Sequence, residues 1–164
     1  LVIGVILAIG LSILTITLKE YLLSGIARES MIALNAADAG MECAFYWDRS
    51  SDGDHFDVGA PTSDIACMGQ TFTVGGGISG TPQDFEVTWG TPGTPSVCAK
   101  ISVTKYFSTT GPVNMGTGPG CPAGGCMCPQ GVECTRTVSR GYNKACAPEM
   151  TSPRTVERAL RALY

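Results

Sequence analysis

The chain opens with an unbroken apolar run. Residues 1–18 read LVIGVILAIGLSILTITL, and the first charges are Lys19 and Glu20. As a helix rising ~1.5 Å per residue, this run spans roughly 27 Å, close to the ~30 Å hydrocarbon core of a bilayer. Ser12, Thr15 and Thr17 do not spoil the segment, because their hydroxyls can bond back to helix carbonyls. A signal peptide has a charged start, a short apolar core and a small-residue cleavage site. This chain begins directly on apolar residues, so any leader is expected to be gone already.

The helical pattern does not stop there. Between Lys19 and Trp47 there is no proline, and Gly25 and Gly40 are the only glycines. Leu22, Ile26, Ala33, Ala37, Gly40, Met41 and Ala44 recur mostly at spacings of three and four, which makes one helix face. Arg28, Glu29 and Glu42 fall mostly off that face. The pattern predicts a single helix over residues 1–47, about 70 Å long. The rest of the chain, compactly folded, is only ~30 Å across, so half of the helix must protrude. A bare apolar protrusion is unstable in water and needs a bilayer or copies of itself around it. The membrane-spanning or filament-core segment is 1–18, carried by Leu1, Val2, Ile3, Val5, Ile6, Leu7, Ile9, Leu11, Ile13, Leu14, Ile16 and Leu18. Gly4 and Gly10 could let neighbouring helices approach or let this one unwind locally. Residues 19–47 would pack on the remaining domain through Ala33, Ala37, Gly40, Met41 and Ala44. Those side chains, with Ala36, are small enough to admit a second element closely, and the alanines also favour helix.

From residue 48 to 164 the periodicity changes. Gln70 to Val74 is short and β-prone. Phe85, Val87 and Trp89 alternate with polar residues, as do Val97, Ala99, Ile101 and Val103, and Glu133 to Tyr142 is rich in Thr, Val and Arg. Such alternation marks half-buried strands. Gly-Thr-Pro turns at 80–82, 90–92 and 93–95 punctuate them. One long helix followed by strands with no helix between them predicts an α+β fold with a small antiparallel sheet as head. The last stretch, 153–164, reads by periodicity as a short helix, with Val156, Ala159, Leu160 and Leu163 at helical spacing.

The cysteines change the picture most. There are eight, Cys43, Cys67, Cys98, Cys121, Cys126, Cys128, Cys134 and Cys146, an even number at irregular spacing that points to disulfides and an oxidising compartment. Three of them lie in a Gly/Pro-rich insertion, 108–131, with Cys134 just beyond. Structural zinc sites use paired C-x2–4-C knuckles, and only one gap here fits, so a disulfide-stapled loop is the reading. Eight cysteines allow about a hundred pairings. The expectation is that the insertion pairs locally and that Cys43 ties the helix end to the head.

Charge adds less. The net charge is −3, too mild for a nucleic-acid-binding surface. Asp48, Asp52, Asp54, Asp57 and Asp64 cluster with only Arg49 among them, but their spacing does not fit a calcium loop, and a solvated loop is expected. Arg136, Arg140, Lys144, Arg154, Arg158 and Arg161 make a basic C-terminal region. Opposite patches would suit head-to-tail contacts. His55, the only histidine, has no partner at ligand spacing. There is no Ser/His/Asp set, no metal cluster and no phosphate-binding glycine loop, so no catalytic residue, metal or cofactor is expected.

The stretch Ala27 to Asp48, ARESMIALNAADAGMECAFYWD, resembles the helix end of PilX-like type IV pilins of small-genome candidate-phylum bacteria. Its centre, Ala36-Ala37-Asp38-Ala39-Gly40-Met41-Glu42, is similar to that family's AADAG-apolar-E pattern, followed by the aromatic cluster Phe45-Tyr46-Trp47. Cys98 to Lys105, Ser139 to Asn143 and Arg154 to Tyr164 are similar to later strands. The resemblance implies a lollipop, a helical spine with a small sheet on its C-terminal half, and it implies a strand rather than a helix over 154–164. It implies a structural subunit of a cell-surface filament, membrane-inserted before assembly, with copies of itself, a prepilin peptidase and assembly machinery as partners. The rivals are a minor pilin or pseudopilin that initiates or caps filaments or serves secretion, and a non-polymerising membrane-anchored binding domain. One departure stands out. The family carries a glutamate at its fifth mature position, whereas Val5 stands here and Glu20 is the first acid. Either residues precede Leu1, or the subunit assembles without that contact.

Overall fold

A computed structural model of the chain describes residues 2–50, 53, 55–90, 97–118, 120–146 and 155–164. Leu1, Asp52, Asp54, Arg154 and most of the two turns drawn over 90–95 lie outside the described residues. A single helix, α1 (Val2–Asp48), is followed by β1 (Ser63–Cys67), β2 (Gln70–Val74), β3 (Pro82–Trp89), β4 (Val97–Tyr106), β5 (Val113–Asn114), β6 (Met127–Cys128), β7 (Cys134–Tyr142) and β8 (Glu157–Leu163). The fold is α+β. A four-stranded antiparallel sheet in the order β3-β4-β7-β8 forms the head, with β1-β2 and β5-β6 as separate hairpins.

The C-terminal half of α1 lies across β4, β7 and β8. Burial begins at Glu29 and Ser30 and then falls on Ala33, Ala36, Ala37, Gly40, Met41, Ala44 and Asp48, one face of a 3.6-residue period. On the sheet, Ala99, Ile101, Val103 and Lys105 of β4 and Thr135, Thr137, Ser139 and Gly141 of β7 form the facing surface. Two glycines set how near these layers come. A Cβ on Gly40 would stand 2.7 Å from Ser139 Oγ and 2.9 Å from Ile101 Cγ1. A Cβ on Gly141 would run into the helix backbone itself, at the carbonyl of Ala33 and the amide of Ala37. Below this contact, Ala44 packs with Phe56, Ile65, Phe85, Val87 and Ile101 in the main core, which the β1-β2 hairpin closes.

The C-terminal stretch corrects the periodicity reading. It is β8, not a helix, paired along its length with β7 from Tyr142↔Glu157 to Arg136↔Leu163. The local spacing is compatible with either state, and long-range pairing decides it. Arg158, which breaks the strand alternation, is accommodated because its neighbour in register is Gly141, and its Nε donates to Ser30 Oγ at 2.7 Å. Glu29, placed off the packing face by spacing, turns to the head and accepts a hydrogen bond from Asn143 Nδ2 at 2.7 Å. Leu22 and Ile26, placed on that face, lie beyond the head and are exposed.

The free edge of β3 is capped by a side chain. Gln70 Nε2 donates to the Thr88 carbonyl and Gln70 Oε1 accepts from the Thr88 amide, which occupies groups that would otherwise template another strand.

Two expectations follow from this packing. Gly141→Ala should destabilise the head by about 3 kcal/mol or more, since the added methyl has only backbone to displace, whereas Gly25→Ala, with nothing within 4 Å, should not lower the urea midpoint. The second concerns alkali. Burial, and then the hydrogen bond and charge of Glu157, push the Tyr142 phenol up from 10.0 to about 12. The folded state holds that proton more tightly than the unfolded chain, so its contribution is complete below pH 10.0 and is lost as pH rises towards about 12. Tyrosinate absorbance and the melting temperature, followed together across that window, should show late ionisation coinciding with falling stability.

Candidate membrane-spanning and assembly helix

Among the described residues, the N-terminal half of α1 touches nothing in the head. Every described side chain from Val2 to Arg28 is exposed. Val2, Ile3, Ile6, Leu7, Ile9, Leu11, Ile13, Leu14, Ile16 and Leu18 are all more than half exposed; Val5 lies in the helix, and its side chain is outside those described. The most apolar window of the helix has a mean hydropathy of 2.3 and none of it is buried, so the segment is long and apolar enough to cross a membrane. Its threonine hydroxyls are already satisfied. Thr15 Oγ1 donates to the Leu11 carbonyl at 2.8 Å and Thr17 Oγ1 to that of Ile13 at 2.9 Å. The surface is therefore apolar in chemistry as well as in residue type.

The exposed apolar surface also runs further than residue 18. Tyr21, Leu22, Leu23, Ile26 and Met31 continue it. Lys19 and Glu20 mask this extension in the sequence, and the alternation of charge with large apolar residues over 19–31 was the available signal. At roughly 1.5–3 kcal/mol per large apolar side chain, the run represents tens of kcal/mol of gross burial, far beyond the patches that monomers leave open.

The second set of expected residues, Ala33, Ala37, Gly40, Met41 and Ala44, is brought together against the sheet, and all five are buried. Ala36, also buried, joins them, and Gly141 and Ser139 supply the opposing surface. No periodicity marks Gly141, which sits in a polar, Arg-rich strand.

All eight cysteines are paired. Cys43–Cys67 ties the helix end to β1, and Cys98–Cys146 holds the start of β4 to the segment after β7. Cys121–Cys126 and Cys128–Cys134 staple the insertion. That insertion is not a bare loop. It folds over the far end of the outer sheet face, where Tyr106, Met115, Cys128 and Cys134 make a small core, and the Asn114 side chain braces its turn through Gly116 and Gly124.

The charged groups segregate less than their order suggests. Asp48 and Asp57 both turn to Lys105, and Asp64 accepts from Thr73 Oγ1. Arg158 faces the helix, whereas Arg136, Arg140 and Arg161 line the opposite face of the sheet. His55 is engaged by Ser63 and lies edge-on to Trp47.

Removing residues 1–27 takes away none of these head contacts. The shortened chain is expected to be a soluble monomer by size-exclusion chromatography, whereas the whole chain should stay dispersed only in detergent.

Comparison with protein-family models, with curated proteins and with solved structures returns no match.

Proposed function

We propose that this chain is a structural subunit of an extracellular, type IV pilus-like filament, held in the membrane by its N-terminal helix and assembled by transferring that helix into a bundle of its own kind. The observation that carries this reading is the continuity of α1. One helix of 47 residues is buried on a disulfide-locked head over its second half, and over its first it is uncharged as far as Leu18 and exposed at every described side chain. A bilayer can satisfy the first half, and so can copies of the same helix. Gly4, Gly10 and Gly25 are open glycines on that half, with nothing within 4 Å, where another helix could come close. The disulfides support a site of residence outside the reducing cytoplasm. The resemblance of Ala27 to Asp48 to PilX-like pilins supports the same reading, as does the sheet laid on the helix end.

A second reading, a membrane-anchored binding domain that does not polymerise, rests on the groove of about 740 Å³ on the outer sheet face, lined by Lys100, Arg136, Arg140 and Arg161 with Asp84 and Glu86.

Electron cryo-microscopy of filaments sheared from the source cells separates the two. A major subunit builds the repeat, with residues 1 to about 25 in the filament core. Filaments that lack this chain from the repeat would leave it as a minor subunit or an anchored binding domain. A Leu14→Glu variant, which places a charge amid apolar neighbours at a cost of about 3 kcal/mol, should abolish filaments while the head keeps its melting temperature.

A further inference from the structure

At the lower end of the helix–sheet contact an amine is enclosed by carboxylates. Lys105 Nζ lies 2.9 Å from Asp48 Oδ1, 3.2 Å from Glu133 Oε1 and 3.5 Å from Asp57 Oδ1. The Lys105 and Asp48 side chains are only 6% and 3% exposed, whereas Glu133 and Asp57 reach solvent at 32% and 44%. Nζ stands off the line of a hydrogen bond to Asp48 Oδ1, and that oxygen accepts none. The other oxygen, Oδ2, is held by the Tyr164 hydroxyl at 2.6 Å. Tyr164 is fixed in turn by the Arg49 guanidinium over its ring, by Phe45 edge-on, and by a pair of backbone hydrogen bonds to Thr135.

We propose that Lys105 and Asp48 are joined by an intramolecular isopeptide bond that the chain forms on itself, with Glu133 as proton carrier and Tyr164 as oxyanion donor. The ion pair already contains the atoms of the product, since an ammonium and a carboxylate together equal an amide and one water. Glu133 takes a proton from the Lys105 ammonium and frees the nitrogen lone pair. The N–C bond forms at Asp48 Cγ, and the carbonyl electron pair moves onto Oδ2, where the Tyr164 hydroxyl meets it as an oxyanion donor. Glu133 passes its proton to Oδ1, and the second amine proton follows the same route. The Cγ–Oδ1 bond then breaks and Oδ1 departs as water. Glu133 ends as the carboxylate it began as, and no oxidant or co-reactant is consumed. The head contributes position, because a nucleophile and an electrophile held in contact react as if at very high concentration. It also contributes exclusion of water from the Lys105–Asp48 pair. Glu133, more exposed, is placed to hand protons across.

Asp48 is favoured over the other carboxylates on three counts. It is the nearest, it is the most shielded, and its far oxygen carries a donor. The bond would lock the last residue of α1 to the C-terminal end of β4, an inner strand of the head sheet. With Cys43–Cys67 close by, the spine would be covalently tied to the head both by a link that reduction opens and by one that it does not. This inference stands whether or not the chain polymerises.

Intact-mass spectrometry of the purified full chain, reduced and denatured, tests it. The expected mass is one water below that of the sequence. In a tryptic digest the peptide 29–49 should be linked to the peptide 101–136, with no cleavage after Lys105. Lys105→Arg and Glu133→Gln should each restore the full mass; Glu133→Gln leaves the buried Lys105–Asp48 pair in place and so tests the proton carrier in a folded head. Wild-type chain at the full sequence mass, with ordinary tryptic cleavage after Lys105, would overturn the proposal. A linked wild type with an equally linked Glu133→Gln variant would overturn the role of Glu133.

Discussion

The structure depends on how closely a β-sheet can approach an α-helix. Sheet and helix surfaces normally stand apart by the width of interleaved side chains, but here the side chains at the crossing are removed from both partners. Gly141 presents bare backbone to the turn of α1 that runs from Ala33 to Ala37, and one helical turn on, Gly40 does the same for Ile101 and Ser139. The alanines between them fill what remains. Such contact gains dispersion and excludes water over a flat area, but it has no slack. A single methyl on either glycine has nowhere to go, so register, crossing and strand order are fixed together.

That closeness explains other choices in the head. β7, which makes the nearest contact, offers Thr135, Thr137 and Ser139 towards the helix rather than large apolar residues, because only short side chains fit beneath alanine. Apolar bulk is displaced to the lower core around Phe56, Ile65 and Phe85, where the β1-β2 hairpin gives room. A head built this way has a thin core, and small domains with thin cores usually rely on covalent links. Four disulfides supply them, two across long loops, one inside the insertion and one joining it to the start of β7. By loop entropy the two long links contribute about 3 to 4 kcal/mol each.

Much of this was legible before any coordinates. The uncharged run, the proline-free helix and the alanine face follow from period and composition, and the alternating strands β3 and β4 are plain in the sequence. What the residue pattern alone missed was whatever depends on a distant partner. β8 carries a spacing that suits a helix; its strand was expected from the resemblance and not from periodicity, and pairing with β7 forms it, with Arg158 tolerated opposite Gly141. β1 is short and polar, and it is defined by its hairpin partner. Asp48 reads as the first residue of a solvated acidic loop, yet it ends the helix and is buried against Lys105 and Tyr164. Residue type announces none of these, because burial of a charge is decided by the group across from it.

The two halves of α1 place opposite demands on one continuous element. The lower half must be narrow, to admit the sheet, and is built of alanine and glycine. The upper half is broad and apolar, long enough to cross a membrane, and is built of leucine and isoleucine. A hinge between them would let the head swing freely. The chain has neither a proline nor a gap in helix geometry there; Gly25 is the only glycine between Gly10 and Gly40. The helix is therefore continuous from its apolar end to the head, which it meets at the Gly40–Gly141 contact and below it, at Cys43 and Asp48. At those last two positions the head is fastened by a disulfide and by a buried ion pair.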